Sequence, residues 1–540
     1  MTYKKLLILF CASLLLEACM SSAKDARTHG GANIGVAALP RHAVLPSEGV
    51  YYSLFVRSFA DSNGDGIGDF NGLISKLDYL NDGDDATTDD LGITGIWLLP
   101  IYPTQTYHGY DVDDYYDVNP QYGTMADFER LLAECEKRGI SVILDMMCNH
   151  SSLYNQWFID SRNPNDAHRS WYRWISADDS RFSLRQQIWG HNVWNAYNDC
   201  YYAGIFSSHM PDFNLDSQEL RQEFKKVMKF WLDKGVAGFR YDAASHVYNS
   251  AKTPPGTNSI EKGVAWWKEI VEYNKSVRPD AYIVGEVWEP ASTRAQYMAG
   301  LGSTFHFDMG TRIVDEIRSQ SAANNNYAAA LQGEYERYAQ SNPDYKDAPF
   351  LSNHDQNRIA GLLRGQVPQL KLAAAMYIFA EGVPFIYYGE EIGMMGAKPD
   401  EQLRTPMIWN VANRDKLQTT WETSRYNKNT LSVAEQEKDP DSLLQFYKRV
   451  IRIKTAHPAL YRGRFTALST GNEFVSSWAM EYESEKAFVL HNLSPEKTAV
   501  QIPEAYNLPI VFSTYKGTAA TSNGYLTIPP FCSVVLAEHK

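Results

Sequence analysis

The sequence predicts an α/β chain: a (β/α)8 TIM barrel with a small domain inserted after the third strand and an antiparallel β domain at the C-terminus. Three observations carry this. Eight short apolar segments followed by helical patterns recur between residues 51 and 388, as βα units around a parallel sheet require. Asp145 and Asp242 lie 97 residues apart, far more than one such unit occupies. From about residue 462 the pattern becomes one of alternating segments with polar turns between them, which belongs to antiparallel strands.

Taken in order, the chain begins with Lys4 and Lys5, an apolar run from Leu6 to Leu16, and Glu17, Ala18 and Cys19. The run is too short to span a bilayer and reads as a signal peptide over residues 1–19. A small residue followed by Cys resembles a bacterial lipoprotein box. That makes Cys19 a lipid anchor to a membrane, on the periplasmic side or at the cell surface, with plain secretion as the alternative. Residues 20–48 carry Ser, Ala, Lys, Gly and Pro without periodicity and read as a tether. The barrel is expected over 49–150 and 215–460, the inserted domain over 151–214 and the β domain over 461–540. Barrel strands are expected at Tyr51–Phe55, Gly95–Pro100, Ile140–Asp145, Ala237–Asp242, Ala281–Glu286, Thr304–Phe307, Pro349–Asn353 and Pro384–Tyr388. A last amphipathic helix, Asp441–Ala456, precedes alternating segments at Glu473–Met480, Lys486–Leu493 and Ser533–Ala537.

Composition narrows the function. With 540 residues, 44% of them hydrophobic, the chain can build a large core and more than one domain. A net charge of −13 without a basic stripe argues against nucleic acid as a partner. Thirteen Trp and 34 Tyr offer flat faces that suit sugar rings, and equally fill cores. Cys135, Cys148, Cys200 and Cys532 match no metal or disulfide spacing, and the expected state is a monomer.

Chemistry concentrates at strand ends. In GFRYDAASH, residues 238–246, strand alternation turns Arg240 and Asp242 to one side. A neighbouring cation lowers a carboxyl pKa by about 1 to 3 units, so Asp242 is expected to be ionised; a structural ion pair would look the same. Glu286, in VGEVW, sits among apolar residues that raise its pKa and keep it protonated. Asp355 follows His354 in SNHD. Glycoside hydrolysis needs two carboxyl groups, one to protonate the leaving oxygen and one to attack or activate water. Each acid taken alone could instead cap the following helix. The loop DSNGDGIGD, residues 61–69, places oxygen ligands at Asp61, Asn63, Asp65, Ile67 and Asp69 and begins like a calcium loop. Gly72 stands where an EF-hand has its twelfth-position acid, so the loop is not one; side-chain-stabilised turns are the other reading.

From about residue 50 onward the chain resembles the α-amylase family of glycoside hydrolases, nearest its intermediate amylase and neopullulanase branch. DMMCNH (145–150), MPDFN (210–214), GFRYDAASH (238–246), GEVW (285–288) and SNHD (352–355) appear in the family's order. The resemblance implies that Asp242 is the nucleophile, Glu286 the general acid and base, and Asp355 the stabiliser of the distorted sugar. It implies that Arg240 keeps the nucleophile ionised. His150 and His354 would bind sugar hydroxyls and Tyr110 would stack on the ring, with His108 and Asp111 beside it and Arg404 closing the site. It further implies calcium at the 61–69 loop, and a second calcium where Asn149, Asp212 and the carbonyl of His246 join the inserted domain to the barrel. Ser245 replaces a lysine that contacts sugar on the leaving-group side in many relatives. The implied function is endo-hydrolysis of α-1,4-glucans. Neopullulanase or maltogenic amylase, α-glucosidase, 4-α-glucanotransferase and an inactive glycan-binding lipoprotein are its rivals.

Overall fold

The computed structural model of the protein describes residues 44–411 and 415–538. The predicted signal peptide, Cys19 and most of the tether lie outside the described residues. Among the described residues, no helix is long and apolar enough to cross a membrane.

Eight parallel strands form one sheet: β1 (Tyr51–Leu54), β2 (Gly95–Leu98), β3 (Ser141–Met146), β4 (Gly238–Tyr241), β5 (Tyr282–Gly285), β6 (Ser303–Phe305), β7 (Lys346–Ala348) and β8 (Phe385–Tyr387). Their order is β7-β6-β5-β4-β3-β2-β1-β8. Most are buried along their whole length because helices cover the outer face and side chains fill the inner one. Two backbone hydrogen bonds close the ring beside β7 and β8: Val383 N–H donates to the Asp347 carbonyl at 2.9 Å and Phe385 N–H to the Pro349 carbonyl at 2.9 Å. The seventh strand begins three residues before the expected Pro349–Asn353. Proline at 349 has no N–H to give the ladder, so the regular strand ends at Ala348.

Register sets the height of the site. Tyr241 pairs with Gly285 and Arg240 with Asp145, so Asp242 and Glu286 leave the sheet side by side above Asp145. The β4–β5 contact depends on Gly238, which has φ +150°; a Cβ there would lie 1.8 Å from the Tyr282 carbonyl oxygen. The helix Gln218–Asp233 feeds β4. Ser217 caps its start by accepting from Leu220 N–H, and Leu220, Phe224, Val227, Met228, Trp231 and Leu232 face the barrel. Each large apolar side chain buried in this way contributes about 1.5–3 kcal/mol.

Between β3 and β4 the chain builds a small domain. Strands Trp174–Ser176, Cys200–Ala203 and Trp194–Tyr197 make an antiparallel sheet, and a two-residue ladder joins Gln187–Ile188 to His191–Asn192. Val193, Trp194, Ala203 and Ile205 form its own core. After the helix Leu443–Ala456 come a five-stranded antiparallel sheet, Arg464–Leu468, Val475–Tyr482, Glu485–Asn492, Ser533–Ala537 and Ile510–Ser513, and a three-stranded one, Thr498–Gln501, Tyr525–Ile528 and Ala520–Ser522. Trp478 ties the larger sheet to the barrel, its indole N–H donating to the Phe379 carbonyl at 3.2 Å.

Candidate active site

Arg240 is the hub of the barrel mouth. One terminal nitrogen donates to Asp145 at 2.7 Å and to Asp242 at 2.6 Å, and the other lies 2.9 Å from Glu286. The guanidinium is buried and sits 5.0 Å from the centre of the Trp97 ring. Ala243 follows Asp242 at φ +47°, a left-handed conformation that costs a residue with a Cβ roughly 1–2 kcal/mol. It turns the Ala243 N–H onto Glu286 Oε2 at 2.7 Å, so the strain bridges the two acids.

Burial dominates their protonation. It pushes Glu286 up to about 7 against the pull of Arg240, and the charges of Asp242 and Asp355 push the same way. Burial likewise raises Asp242 to about 6; Arg240 opposes this and the Asp145 charge adds to it. The sequence expectation that Arg240 alone sets the Asp242 carboxyl low is therefore corrected, because desolvation outweighs the one cation when Asp145 shares it. Asp242 is still largely ionised at neutral pH while Glu286 keeps a protonated fraction.

Asp355 completes the trio and is the most open: side-chain exposure rises from 10% at Asp242 and 13% at Glu286 to 28% at Asp355. Burial would raise its carboxyl, but His354, Arg404 and Arg240 together hold it well below the usual range. Arg404 donates to Asp355 at 2.9 Å and to the His354 carbonyl at 3.1 Å. His354 Nε2 lies 3.1 Å from Asp355 and 2.5 Å from the Tyr110 hydroxyl, which also donates to Asp145 at 3.1 Å. The Tyr110 ring stacks on His354 with centres 5.5 Å apart.

His150 lies at the same mouth, its Nδ1 3.1 Å from the Asn149 amide nitrogen. Burial pushes it down to about 3, so it is neutral. His150 and His354 are both buried in the wall of the mouth, and the Tyr110 backbone is among the groups that act on His150. His108 is a supporting residue: its Nδ1 accepts from the Tyr110 N–H at 3.1 Å and its ring stacks on Tyr110. Asp111 is buried and accepts from the hydroxyls of Thr104, at 2.7 Å, and Thr106, so it braces the loop and does not join the carboxylate cluster.

The metal expectations divide. Asp61 Oδ1 accepts from the N–H groups of Asn63 and Gly64, and Oδ2 from Gly66; Asn63 accepts from Asp65 N–H, Asp65 from Ile67 N–H, and Asp69 from Ser62 and Gly72. The loop is held by its own turns, and among the described residues no group of three His, Cys, Asp or Glu side chains is arranged to hold a metal ion. The junction expected to hold a second calcium does not fit one. Asn149 and Asp212 do meet, at 2.9 Å, but Lys252 stands between them, its ammonium 2.6 Å from Asn149 Oδ1 and 3.5 Å from Asp212 Oδ1. The His246 carbonyl accepts from Asn249 N–H. A buried ammonium already supplies the charge a cation would bring, and a second positive charge there would be repelled.

Sequence reading missed Asp145 and Lys252. Asp145 carries the same signal as the other acids, a carboxylate at the end of a predicted strand. Lys252 carries none, because only the fold brings it to Asn149, 103 residues away.

Comparison with known proteins agrees with this geometry. Residues 53–463 match the alpha amylase catalytic domain family and residues 475–535 the alpha-amylase SusG C-terminal domain family. The chain is 38% identical to Alpha-amylase 3 of Dictyoglomus thermophilum over 490 residues, 90% of this chain and 92% of that protein. It is 30% identical to a 4-alpha-glucanotransferase of Thermotoga maritima over 457 residues, 83% of this chain and 97% of that one. The crystal structure of the alpha-amylase from H. orenii superposes with a TM-score of 0.83 at 37% identity, covering 91% of this chain and all of that one. A barrel mouth with three carboxylates on one guanidinium, together with these matches, makes the chain a glycoside hydrolase that belongs to the alpha-amylase family.

Proposed function

We propose that the protein is a retaining hydrolase of internal α-1,4-glucosidic bonds in starch-like glucans and maltooligosaccharides. The observation that carries this is the single Arg240 guanidinium holding Asp242 and Glu286 as near neighbours, the close pairing that goes with double displacement. Asp242 attacks the anomeric carbon while Glu286 gives its proton to the departing oxygen, leaving a glycosyl ester on Asp242. Water then attacks that ester as Glu286 takes back a proton, releasing the α-anomer and restoring both acids. Asp355, kept ionised by its neighbours, grips sugar hydroxyls, and His150 and His354 at the same mouth take others. The test is product analysis on soluble starch. α-Anomeric oligosaccharides formed first support the reading; β-anomers first, or glucose alone from chain ends, overturn it.

Glycosyl transfer is the second reading, and one observation favours it. Trp189, from the hairpin of the inserted domain, is 56% exposed and packs on Phe206 and His246, four residues past Asp242. That is an apolar platform able to hold an acceptor sugar and exclude water. Products longer than maltotriose from maltotriose would establish it.

Two further assignments belong with this function. Calcium binds the 61–69 loop, where Asp61, Asn63, Asp65 and Asp69 give an oxygen-only, acidic donor set suited to a hard cation; an identical melting temperature with calcium and with chelator would remove it. Cys19 anchors the protein by a lipid; recovery of the full-length protein in the aqueous phase of a detergent partition would exclude the anchor.

A further inference from the structure

We propose that a second α-glucan binding site lies where the C-terminal domain meets the barrel, built from residues that take no part in the catalytic mouth. The inference rests on the substrate class proposed above.

Two adjoining clefts share the turn Thr470, Gly471, Asn472 and Glu473. One, of about 280 Å³, runs between this turn and the short helix Ala322–Asn325 together with the first turn of the helix Tyr327–Ser341. The other, of about 420 Å³, runs over the three-stranded sheet past Ala499 and Gln501. Phe474 and Tyr525 line the second cleft with 41% and 44% of their surfaces exposed. Tyr525 pairs across the sheet with Gln501, and Thr498 of the same strand accepts from the Asn472 amide at 3.2 Å. The turn is fixed from the barrel side as well, since the Ala322 N–H donates to the Glu473 carbonyl at 2.6 Å.

The lining selects the ligand. Among the described residues neither cleft is lined by Lys or Arg, and the one charged group is Glu473, so an anion gains nothing there. Hydroxyl and amide groups of Asn326, Ser469, Thr470, Asn472, Ser477 and Gln501 alternate with small residues, which is too polar for a buried protein interface. Two exposed aromatic faces beside a row of neutral donors and acceptors suit a chain of pyranose rings. The C–H face of a ring lies on the negative face of an aromatic, and its hydroxyls reach the polar wall. A polymer held at both places has its next bond presented at raised effective concentration. A short oligosaccharide, too small to span them, gains nothing.

The experiment compares wild type, Phe474→Ala/Tyr525→Ala, Phe474→Trp and Gln501→Ala, each also in an Asp242→Asn background. It measures retardation in native gels containing soluble starch, pull-down on insoluble starch, and kcat/KM on maltotriose. The double variant is expected to lose at least about 5-fold in starch binding while turning over maltotriose within 2-fold of wild type. Phe474→Trp should keep or strengthen binding, and Gln501→Ala should weaken it by about 2-fold. Starch binding unchanged in both Phe474→Ala/Tyr525→Ala and Gln501→Ala overturns the site. Loss of maltotriose turnover in the double variant marks misfolding, and starch binding by Gln501→Ala then decides for or against the site. Inactivity of wild type on every glucan would sink the proposed function instead, and starch binding by the Asp242→Asn protein separates that outcome from failure of this site.

Discussion

Glu390 and Glu391, just past β8, carry the same functional group at the same end of the same barrel as Asp242 and Glu286, just past β4 and β5. All four are buried or nearly so. Burial pushes Glu390 up to about 8, further than Glu286. Yet Glu390 accepts only from the hydroxyls of Tyr377 and Tyr447, at 2.8 and 2.9 Å, and Glu391 from those of Tyr52 and Tyr79, both at 2.7 Å. No ion pair involving either appears among the described residues. The β8 acids are sealed among neutral donors that tolerate a protonated carboxyl; the mouth acids share a cation and touch solvent. A perturbed pKa therefore does not identify a working carboxylate. Access to a ligand and a counter-charge that permits ionisation do.

Neutralising one acid from each set puts this contrast under the greatest load. Asp242→Asn should lower kcat on soluble starch by at least about 10³-fold, the scale on which removing a catalytic group acts, whereas Glu390→Gln should leave it within about 3-fold. Equal losses would mean that the two sets do not differ in kind.

Next in size is the junction of the inserted domain. Lys252 is fully buried between Asn149 and Asp212, and Lys252→Met leaves the Asp212 carboxylate without its counter-charge. Such a loss costs about 3–5 kcal/mol, to be read by denaturant unfolding. Any response of melting to calcium or chelator should disappear with Asp61→Asn in the 61–69 loop, because at this junction the ammonium occupies the place of the ion. Rescue of the Lys252→Met variant by calcium would show that the Asn149–Asp212 pair can hold a metal once the lysine is gone.

A smaller effect is the pH profile. Activity requires ionised Asp242, so it should fall as pH drops through about 6. It also requires protonated Glu286, so it should fall as pH rises through about 7. The result is a narrow bell in kcat/KM with its top between the two. A plateau from about pH 4 to 9 would contradict the pairing of roles.

Much of this was legible because strands repeat every two residues and end at the mouth. That arithmetic located Asp242, Glu286, Asp355 and Arg240, and the ordered motifs supplied His150, His354, Tyr110 and Arg404, all of which converge. It misplaced the seventh strand, since an apolar run starting at Pro349 looks like a strand while the proline itself ends the ladder. It gave no sign that the hydroxyls of Thr104 and Thr106 both bond Oδ1 of Asp111, a contact that only the folded loop creates. Lys252 was out of reach, because a lysine in a polar loop has no local signature of burial. The fall of the Asp242 carboxyl expected from Arg240 failed for a related reason: desolvation and the shared Asp145 charge are properties of the packed mouth, absent from any nine-residue stretch.

The smallest expected effect is on stability, and it tests the sealed set directly. Glu390 has a folded pKa of about 8 against an ordinary value of 4.5, so between those pH values the folded chain holds a proton that the unfolded chain releases. Stability from this group is complete below pH 4.5 and drains away as pH rises towards 8, by on the order of a few kcal/mol over the interval. Glu390→Gln imitates the protonated acid and has nothing to lose. The variant should therefore match or fall slightly below wild type near the acid end of that interval, where one amide proton faces the unpartnered side of the pocket. It should gain on wild type steadily up to about pH 8, measured as the difference in unfolding free energy between the two proteins. A difference that stays constant with pH would mean that Glu390 is ionised in the folded chain. The contrast between the two sets of acids would then have to rest on solvent access alone.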